Sequence, residues 1–374
     1  MAVIVVAPDS YKGSMSADMV ARSMEVGIRR VIPTAEIKRF PMADGGEGTV
    51  HAVLSIRGGE KKIVAVSGAL LAKREVEFGV FREQEQLCSV IEVAAIVGLP
   101  CAPGIVEERS SYGVGELIKH CMDIGVRKVL VGLGGSSTND GGAGVLVALG
   151  ARLCDQNGAA LPPTLEGLKS LHCVDFSQVD RRLDGIEIVI LADVDNPLCG
   201  LQGATSIFGP QKGIKEVHIE EYDRRLRRLA KCCDEWAKRN LSGTPGAGAA
   251  GGIGYSLKLF GAKMVAGADM VCQMQDIDRT ISAADWVLTG EGHSDGQTLR
   301  GKAPYEVARR ARRLGKPVSL LSGGVNRADL SLLAPSFDGC FSIIPAPMDL
   351  NSAIQSAELL VADAAEQLAR LRFG

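Results

Sequence analysis

The sequence predicts an α/β protein with two domains, and three observations support this fold class. At 374 residues, the chain is longer than one ordinary domain. Its residues are 46% apolar but only 4% aromatic, so its cores must be built from aliphatic side chains, as in buried parallel sheets. Short apolar runs also alternate with polar, glycine-containing loops and helical segments, which is the pattern of α/β domains.

The N-terminal segment shows this alternation first. Residues 3–7 are predicted to form a strand, and residues 8–14 are its exit loop. Ser16 is the predicted N-cap of the following helix, because a serine immediately before an amphipathic run accepts a backbone N–H bond there. Residues 37–40 are predicted as a second strand, which leads into a polar glycine-rich loop at residues 42–49.

The middle of the chain has a different pattern of apolar and polar residues. Alternating apolar residues over 62–93 predict an antiparallel meander, and residues 186–191 predict a later strand. After residue 285 the strand, loop and helix pattern of the N terminus returns. We therefore expect one discontinuous domain from residues 1–60 and 281–374, and a second α/β domain from residues 61–280 that contains the meander and the glycine-rich phosphate loops.

A glycine-rich stretch at residues 132–144, G-L-G-G-S-S-T-N-D-G-G-A-G, lies between an apolar run and a predicted buried helix. Six of its thirteen residues are glycine, which predicts a sharp turn or a close backbone approach. A turn that opens a helix directs backbone N–H groups and the positive end of the helix dipole at one point. The stretch therefore predicts a phosphate or other anion site, with a plain strand-to-helix connection as the alternative.

Composition excludes several classes of function. The net charge is −2 and no basic block stands out, which argues against nucleic acid binding. No apolar run approaches membrane-spanning length, and the first residues lack the basic segment of a signal peptide. The ten cysteines are scattered without metal-binding spacing. We expect a soluble, cytoplasmic protein with reduced cysteines, and a homodimer is left open.

Two motifs resemble known nucleotide sites but lack a required feature. Residues 246–251 contain a formal G-x-G-x-x-G, yet a charged helix precedes it where a dinucleotide site requires a strand. This argues against an NAD-dependent dehydrogenase. Residues 296–303 spell a Walker A motif except for the final Ser or Thr that ligates Mg²⁺.

Acidic residues recur in the glycine-containing loops. They include Asp9, Asp44 with Glu47, Asp140, Asp193 with Asp195, and Glu291 with Asp295. Lysines occur in three of these or neighbouring loops, as Lys12, Lys212 and Lys302. Phosphoryl transfer needs this mixture of oxygen ligands for Mg²⁺, cations for phosphate and a carboxylate for the attacking hydroxyl. Each acid alone is equally explained as a turn former or helix cap.

Several motifs together resemble one family. They are A-P-D-S-Y-K-G-S at residues 7–14, M-A-D-G-G-E-G-T at 42–49, the glycine-rich stretch at 132–144, F-G-P-Q-K-G at 208–213, P-G-A-G-A-A-G-G at 245–252, and T-G-E-G-x-x-D-x-Q-T from residue 289. In this order they are similar to the bacterial glycerate kinases of the first type, over essentially the whole chain.

The resemblance implies ATP-dependent phosphorylation of D-glycerate, with attack by the C2 hydroxyl to give 2-phosphoglycerate. It also implies one flavodoxin-like and one restriction-enzyme-like domain, with the active site expected in the cleft between them. Glycerate 3-kinase regiochemistry and a catalytically inactive nucleotide-binding regulator remain as alternatives. The expected cofactors are ATP and Mg²⁺.

Residue roles follow from chemistry. Asp193 is the preferred base, and the other catalytic candidates are Lys12, Asp44 and Asp295. The predicted nucleotide-binding residues are Gly134, Gly135, Ser136, Ser137, Thr138, Asn139, Gly141, Gly142, Lys212, Gly248, Gly251 and Lys302. The predicted metal ligands are Asp140, Asp193 and Glu291.

Overall fold

The structure, a computed structural model, describes residues 1–99 and 104–374. The chain forms two compact units. The first unit combines Met1–Asp44 with Ala266–Gly374, and the second is Gly45–Val265. Both contain a sheet with parallel strands and flanking helices, which confirms the predicted α/β class.

Up to residue 132 the described strands are β1 (Val3–Val6), β2 (Glu36–Arg39), β3 (Glu60–Ser67), β4 (Lys73–Glu83), β5 (Gln86–Glu92) and β6 (Lys128–Gly132). The helices of this part are α1 (Ala17–Arg29), α2 (Thr49–Arg57), α3 (Val93–Val97) and α4 (Tyr112–Asp123).

The strands after residue 132 are β7 (Arg152–Cys154), β8 (Cys173–Asp175), β9 (Glu187–Leu191), β10 (Lys263–Val265), β11 (Trp286–Thr289), β12 (His293–Ser294), β13 (Val318–Ser322), β14 (Gly324–Val325) and β15 (Gly339–Ser342). The helices are α5 (Ala143–Ala148), α6 (Ala204–Phe208), α7 (Glu216–Ala237), α8 (Ile253–Leu259), α9 (Gly267–Met274), α10 (Ile277–Ala283), α11 (Ala303–Arg313), α12 (Leu330–Leu333), α13 (Leu350–Gln355) and α14 (Ala357–Phe373).

The first unit has a five-stranded parallel sheet in the order β2, β1, β11, β13, β15. Counted along the unit, this is the 2-1-3-4-5 order of flavodoxin-type doubly wound sheets. The connection from β1 leads to β2 on one side, and the connection from β2 leads back to β11 on the other side of β1. The switch point therefore lies between β1 and β11. In such sheets ligands bind at the carboxyl ends of the strands beside this point.

Helices α1 and α14 pack against each other in the first unit. Ser16 caps α1 as predicted, since its Oγ accepts a hydrogen bond from the backbone N–H of Met19 at 3.3 Å. The two helices approach closely at Gly27, where an added Cβ would lie 2.0 Å from the carbonyl oxygen of Ala362. Only glycine permits this separation.

The second unit has a six-stranded mixed sheet in the order β10, β9, β6, β5, β4, β3. The first four strands are parallel, while β3, β4 and β5 form consecutive antiparallel pairs. Strands β6 and β9 carry buried aliphatic side chains along most of their length, as expected for strands covered on both faces, and β5 has four consecutive buried residues at 88–91. The core of this unit therefore lies around the parallel strands that precede the glycine-rich turn.

The chain leaves the first unit after Asp44 and returns at Ala266, whereas the sequence analysis placed these crossings after residues 60 and 280. Helix α2 accounts for the earlier crossing, because it packs on β4 and β5. Its Leu54 side chain lies over Gly79 of β4, where an added Cβ would be 3.1 Å away.

Within the described ranges, no helix is both long and apolar enough to cross a membrane. Nine cysteines fall in these ranges, and all nine are free thiols. The tenth, Cys101, lies outside the described residues.

The contact at Gly27 gives a test of the first unit. Alanine favours a helix over glycine by about 1 kcal/mol, so helix propensity alone predicts a stabilising Gly27→Ala change. We expect the opposite, a loss of about 1–3 kcal/mol in the free energy of unfolding, because the new methyl group overlaps a backbone carbonyl that cannot rotate away. Urea unfolding followed by circular dichroism measures the change.

The matched control is Val26→Ala on the same helix, where the side chain is exposed. This control should stay within about 0.5 kcal/mol of the wild type. A Gly27→Ala protein as stable as the wild type would contradict the predicted close packing of α1 and α14.

Candidate active site

The glycine-rich turn of residues 132–144 begins at the last residue of β6 and ends in α5. In the sheet, Gly132 is paired with Glu92 of β5 and with Leu191 of β9. Because all three strands are parallel, the segments that follow them leave the same edge of the sheet. The turn therefore lies at the edge where α/β proteins bind their ligands.

The start of the turn needs glycine because another glycine segment packs on it. A Cβ at Gly132 would lie 2.5 Å from the carbonyl oxygen of Gly45, and one at Gly134 would lie 2.6 Å from the Cα of Gly46. The Gly134 N–H also donates to the Gly45 carbonyl at 3.0 Å. Gly45 and Gly46 thus hold the start of the turn through direct backbone contact.

Asp140 holds the end of the turn. Its carboxylate is fully buried and accepts four hydrogen bonds, from the Ser111 N–H and Oγ at 2.8 and 2.7 Å and from the N–H groups of Gly142 and Gly144 at 3.1 Å. Burial raises the pKa of Asp140, and these hydrogen bonds oppose the rise. Because its oxygens are occupied by internal donors, the structure argues against the predicted role of Asp140 as a metal ligand.

The second glycine cluster explains another group of predicted nucleotide contacts. Gly251 adopts a left-handed conformation with φ +68°, and a Cβ there would lie 2.0 Å from the Thr138 carbonyl oxygen. The Gly251 carbonyl accepts from the Gly141 N–H at 2.9 Å, and the Gly248 N–H donates to the Asn196 carbonyl at 2.9 Å. Backbone packing therefore accounts for glycine at these positions, and their contact with the nucleotide stays a prediction.

The same contacts change the predicted mode of anion binding. The N–H groups of Gly141, Gly142 and Gly144 all donate within the protein, so the start of α5 does not present them to a ligand. A helix terminus already satisfied in this way offers little to phosphate. The predicted nucleotide contacts of the turn that remain as candidates are Gly135, Ser136, Thr138 and Asn139, together with Lys212.

Lys212 brings a cation to the middle of the turn. It ends the short 3-10 turn Pro210–Lys212, and its ammonium donates to the Thr138 carbonyl at 2.7 Å and to the Ser136 Oγ at 3.2 Å. Only 4% of the residue is exposed. Burial lowers the pKa of Lys212 to about 7, with the positive charge of Arg109 adding to the effect and Asp140 opposing it.

The other polar side chains of the turn fall into two groups. Ser137 is structural, because its Oγ donates to the Val97 carbonyl at 2.8 Å. Thr138 and Asn139 are fully buried, and the Thr138 Oγ1 and Asn139 Oδ1 have no hydrogen-bond partner among residues 1–99 and 104–374. Asn139 is oriented by its Nδ2, which donates to the Thr205 Oγ1 at 3.0 Å. Buried polar atoms rarely lack partners, so these two atoms mark a place where a ligand could complete the hydrogen bonding.

Asp193 follows β9 by two residues and is half-buried. Since β9 is the direct neighbour of β6, Asp193 and the glycine-rich turn leave the same edge of the same sheet. Of the four predicted catalytic residues, Asp193 alone belongs to the second unit, while Lys12, Asp44 and Asp295 belong to the first.

The first unit has a cluster of charged groups at the switch point of its sheet. Asp9 follows β1, is 4% exposed, and accepts a hydrogen bond from the Ser10 N–H at 2.7 Å. Burial raises the pKa of Asp9 well above its ordinary range, and the negative charges of Asp44 and Glu291 raise it further. Lys12 lies 3.8 Å from Asp44, so this cluster combines a largely exposed cation with buried carboxylates.

Glu291 follows β11 on the other side of the switch point. It accepts hydrogen bonds from the hydroxyls of Ser294 and Thr298 at 3.0 and 2.6 Å, and its other oxygen lies 3.3 Å from the Lys302 ammonium. Asp295 forms a local turn in which its Oδ1 accepts from the Gln297 N–H at 2.8 Å. Lys302 is thus paired with an acid of its own unit.

The predicted metal ligands are divided between the units, with Glu291 in the first and Asp140 and Asp193 in the second. Across the described residues, no three His, Cys, Asp or Glu side chains are grouped so that they could hold a metal ion. The protein side chains described do not form a dedicated metal centre.

Two residues with informative surroundings were missed as site candidates. Asp9 was noted only as a loop acid, although its burial beside two other carboxylates distinguishes it. Arg109 follows Glu107 and Glu108 and looks like part of a solvated surface, yet it is 8% exposed and contacts the backbone of the glycine-rich turn. Burial of this kind has no signal in local sequence.

Comparison with known proteins agrees with these motifs. Residues 4–372 match the model of the glycerate kinase family. The chain is 40% identical to a glycerate kinase of Halalkalibacterium halodurans, across 99% of this chain and 98% of that protein. It is 38% identical to the glycerate 2-kinase of Escherichia coli, across 95% of this chain and 93% of that protein.

A solved structure supports the same relationship. The crystal structure described as glycerate kinase 2 from Salmonella typhimurium LT2 superposes with a TM-score of 0.83 at 39% sequence identity. The match covers 99% of this chain and 98% of the Salmonella chain. Family, relatives and fold agree over nearly the full length, and this chain belongs to the glycerate kinase family.

Proposed function

We propose that this chain transfers the γ-phosphoryl group of ATP to the C2 hydroxyl of D-glycerate, giving 2-phosphoglycerate and ADP. Membership of the glycerate kinase family supports a kinase, and the Escherichia coli relative named glycerate 2-kinase supports attack by the C2 hydroxyl. The structural observation that carries the proposal is the buried ammonium of Lys212 on the glycine-rich turn.

Lys212 has the properties of a phosphate contact. Both acceptors of its ammonium, the Thr138 carbonyl and the Ser136 Oγ, are uncharged, and Lys212 forms no ion pair among the described residues. A buried charge without a counterion is costly, and an incoming phosphate would supply the missing negative charge. The Thr138 hydroxyl could then donate to the same phosphate, since it has no hydrogen-bond partner in the described part of the chain.

Asp193 is the proposed base for the glycerate hydroxyl. Its strand is adjacent to the strand that carries the turn, so a carboxylate and a phosphate site would share one sheet edge. In phosphoryl transfer a carboxylate orients the attacking hydroxyl and accepts its proton, while catalysis otherwise depends on positioning and charge stabilisation.

In the first unit, we propose that Lys12 binds an anionic group of the substrates. Its side chain is 64% exposed, so its ammonium can reorient from Asp44 to a ligand at little cost. Asp44, Asp295 and Lys302 remain predicted site residues. Glu291 forms the ion pair that holds Lys302, and it remains a predicted metal ligand.

Mg²⁺ enters this proposal with the nucleotide. In kinases Mg²⁺ is commonly bound by substrate phosphates, water and one or two carboxylates, and it neutralises charge on the transferred group. This mode fits a chain whose described residues form no dedicated metal centre. Asp193 remains the carboxylate of the second unit that we propose for such a contact.

The reaction itself is tested by phosphorus NMR with D-glycerate and Mg-ATP. We expect ADP and a single new monoester resonance, that of 2-phosphoglycerate, and no ATP consumption without glycerate. A 3-phosphoglycerate resonance would exclude attack by the C2 hydroxyl but would still show glycerate kinase activity. If the protein binds ATP but consumes none when D-glycerate is added, the result would instead indicate an inactive regulator.

Asp193→Asn tests the base. We expect turnover to fall by at least about 10²-fold while Mg-ATP binding persists, because the amide keeps the shape of the side chain but cannot accept the proton. Steady-state kinetics and calorimetric titration measure the two effects. The matched control is Asp195→Asn, an exposed acid two residues further on, which should remain close to the wild type. Turnover of Asp193→Asn within about tenfold of the wild type would exclude the role.

Lys212→Met tests the phosphate contact. We expect Mg-ADP affinity to fall about 10- to 100-fold, which corresponds to loss of one hydrogen bond to a charged group. Isothermal titration calorimetry measures this affinity. The exposed Lys215 offers the control Lys215→Met, which should leave affinity almost unchanged. Equal affinities for the Lys212→Met protein and the wild type would reject Lys212 as a phosphate ligand.

The same residue predicts a pH dependence. Because the pKa of Lys212 is lowered to about 7, the ammonium is present below that pH and is lost as the pH rises. Mg-ADP affinity should therefore fall between about pH 7.5 and 9, where phosphate is already fully ionised, and binding should take up protons from the buffer. Calorimetry in two buffers of different ionisation enthalpy measures the uptake, which should be absent in Lys212→Met.

A further inference from the structure

We propose that Arg109 is a positioning residue. Its guanidinium holds the Lys212 loop, residues 209–213, in place against the glycine-rich turn. The proposal rests on the phosphate-binding role proposed for Lys212. It adds a residue that acts through Lys212 without touching the substrate.

Arg109 joins three segments of backbone. Its Nη1 donates to the carbonyl oxygens of Ser137 and Lys212, both at 3.2 Å, and its Nη2 donates to the carbonyl oxygen of Gly104 at 2.9 Å. The first two acceptors belong to the glycine-rich turn and to the Lys212 loop, which are 75 residues apart in sequence. A single nitrogen of Arg109 therefore links the two segments that form the proposed phosphate contact.

Lys212 completes this connection from the opposite direction. Its ammonium donates to Ser136 and Thr138, while Arg109 donates to Ser137 between them. Three consecutive residues of the turn thus accept hydrogen bonds from two buried cations. The turn and the Lys212 loop cannot shift relative to each other without breaking several of these bonds.

The loop that carries Lys212, residues 209–213, is closed by backbone hydrogen bonds of its own. The Lys212 N–H donates to the Gly209 carbonyl at 2.9 Å, and the Gly213 N–H donates to the Pro210 carbonyl at 3.1 Å. Gly213 adopts a left-handed conformation with φ +95° that ends the turn. The hydrogen bond from Arg109 to the Lys212 carbonyl therefore fixes the backbone position from which the Lys212 side chain extends.

Arginine suits this position better than lysine. Its planar guanidinium offers five donors in fixed directions and stays charged at any physiological pH. Burial lowers the pKa of Arg109 and Glu107 opposes this, but the ordinary value lies far above neutrality. A flexible lysine at this position would have fewer donors and no fixed angle between them.

Arg109 also acts on the charge of Lys212. The charged groups that influence Lys212 are Arg109, which disfavours its ammonium, and Asp140, which favours it. The Asp140 carboxylate already accepts four hydrogen bonds from Ser111, Gly142 and Gly144. Arg109 has a different acidic neighbour, Glu107. Because the Asp140 oxygens are already occupied, the buried ammonium of Lys212 favours a negatively charged ligand, such as the phosphates of a nucleotide.

A purely structural role for Arg109 predicts different behaviour. If Arg109 only stabilised the fold, its removal would weaken nucleotide binding by the same factor whether or not Lys212 is present. If it positions Lys212, its removal matters only while Lys212 is there. A double-mutant cycle separates the two, because interacting residues show non-additive effects.

The experiment compares Arg109→Gln, Lys212→Met and the double variant by calorimetric titration with Mg-ADP. We expect Arg109→Gln to lower affinity about tenfold in the wild-type background and less than about twofold in the Lys212→Met background. We also expect the midpoint of the pH dependence to move upward in Arg109→Gln, since a positive charge near Lys212 is removed. The positioning role would be overturned if Arg109→Gln lowered Mg-ADP affinity by the same factor in both backgrounds. An unchanged midpoint of the pH dependence would also overturn it.

Arg225→Gln is the matched control. Arg225 is also 8% exposed and also donates to a backbone carbonyl, that of Leu165, but it lies on α7. Its removal should lower thermal stability without changing Mg-ADP affinity or the midpoint of its pH dependence. If Arg109→Gln does not fold by circular dichroism, the same cycle is run with Arg109→Lys, which keeps the charge and should still lose affinity only when Lys212 is present.

The outcome distinguishes this inference from the proposed function. If Lys212→Met alone binds Mg-ADP as the wild type does, the phosphate role of Lys212 fails and the positioning role fails with it. If Lys212→Met weakens binding but the cycle is additive, the phosphate role stands and only the role of Arg109 is rejected.

Discussion

The buried carboxylate of Asp140 is the interaction on which the candidate phosphate site depends. It accepts hydrogen bonds from Ser111, immediately before α4, and from Gly142 and Gly144 at the start of α5. A buried charge is tolerated only when hydrogen bonds replace its hydration, and four donors do so here. The carboxylate thereby fixes where the turn ends and uses the N–H groups that a helix terminus would otherwise offer to an anion.

Glycine gives the second unit its characteristic packing. At Gly132, Gly134 and Gly251, another stretch of backbone lies where a side chain would begin. Residues 45–46, the turn at 132–144 and the cluster at 245–252 are therefore parts of one packed arrangement within the second unit. Their glycines are explained by close backbone approach, and the chemistry is left to the few polar side chains between them.

The charged groups of the two units differ in kind. In the second unit, Lys212 and Arg109 are buried cations that contact mostly uncharged backbone oxygens. In the first unit, the carboxylates of Asp9 and Glu291 are buried at the switch point of a parallel sheet, beside the more exposed Lys12. Buried cations, as in the second unit, suit phosphate binding. Buried carboxylates, as in the first unit, suit proton transfer and the binding of cations or hydroxyl groups.

Sequence alone determined the α/β class, the Ser16 cap and the family, because these depend on local periodicity and on motifs that are contiguous in the chain. It did not indicate the burial of Asp140 and Arg109, or the close backbone packing at Gly248 and Gly251. An acid beside glycines looks the same whether it meets a metal or backbone N–H groups, and a positively charged residue after two glutamates looks exposed. Only the tertiary structure decided these cases, since the partners of each residue come from segments distant in sequence, and burial there sets which polar atoms remain for a ligand.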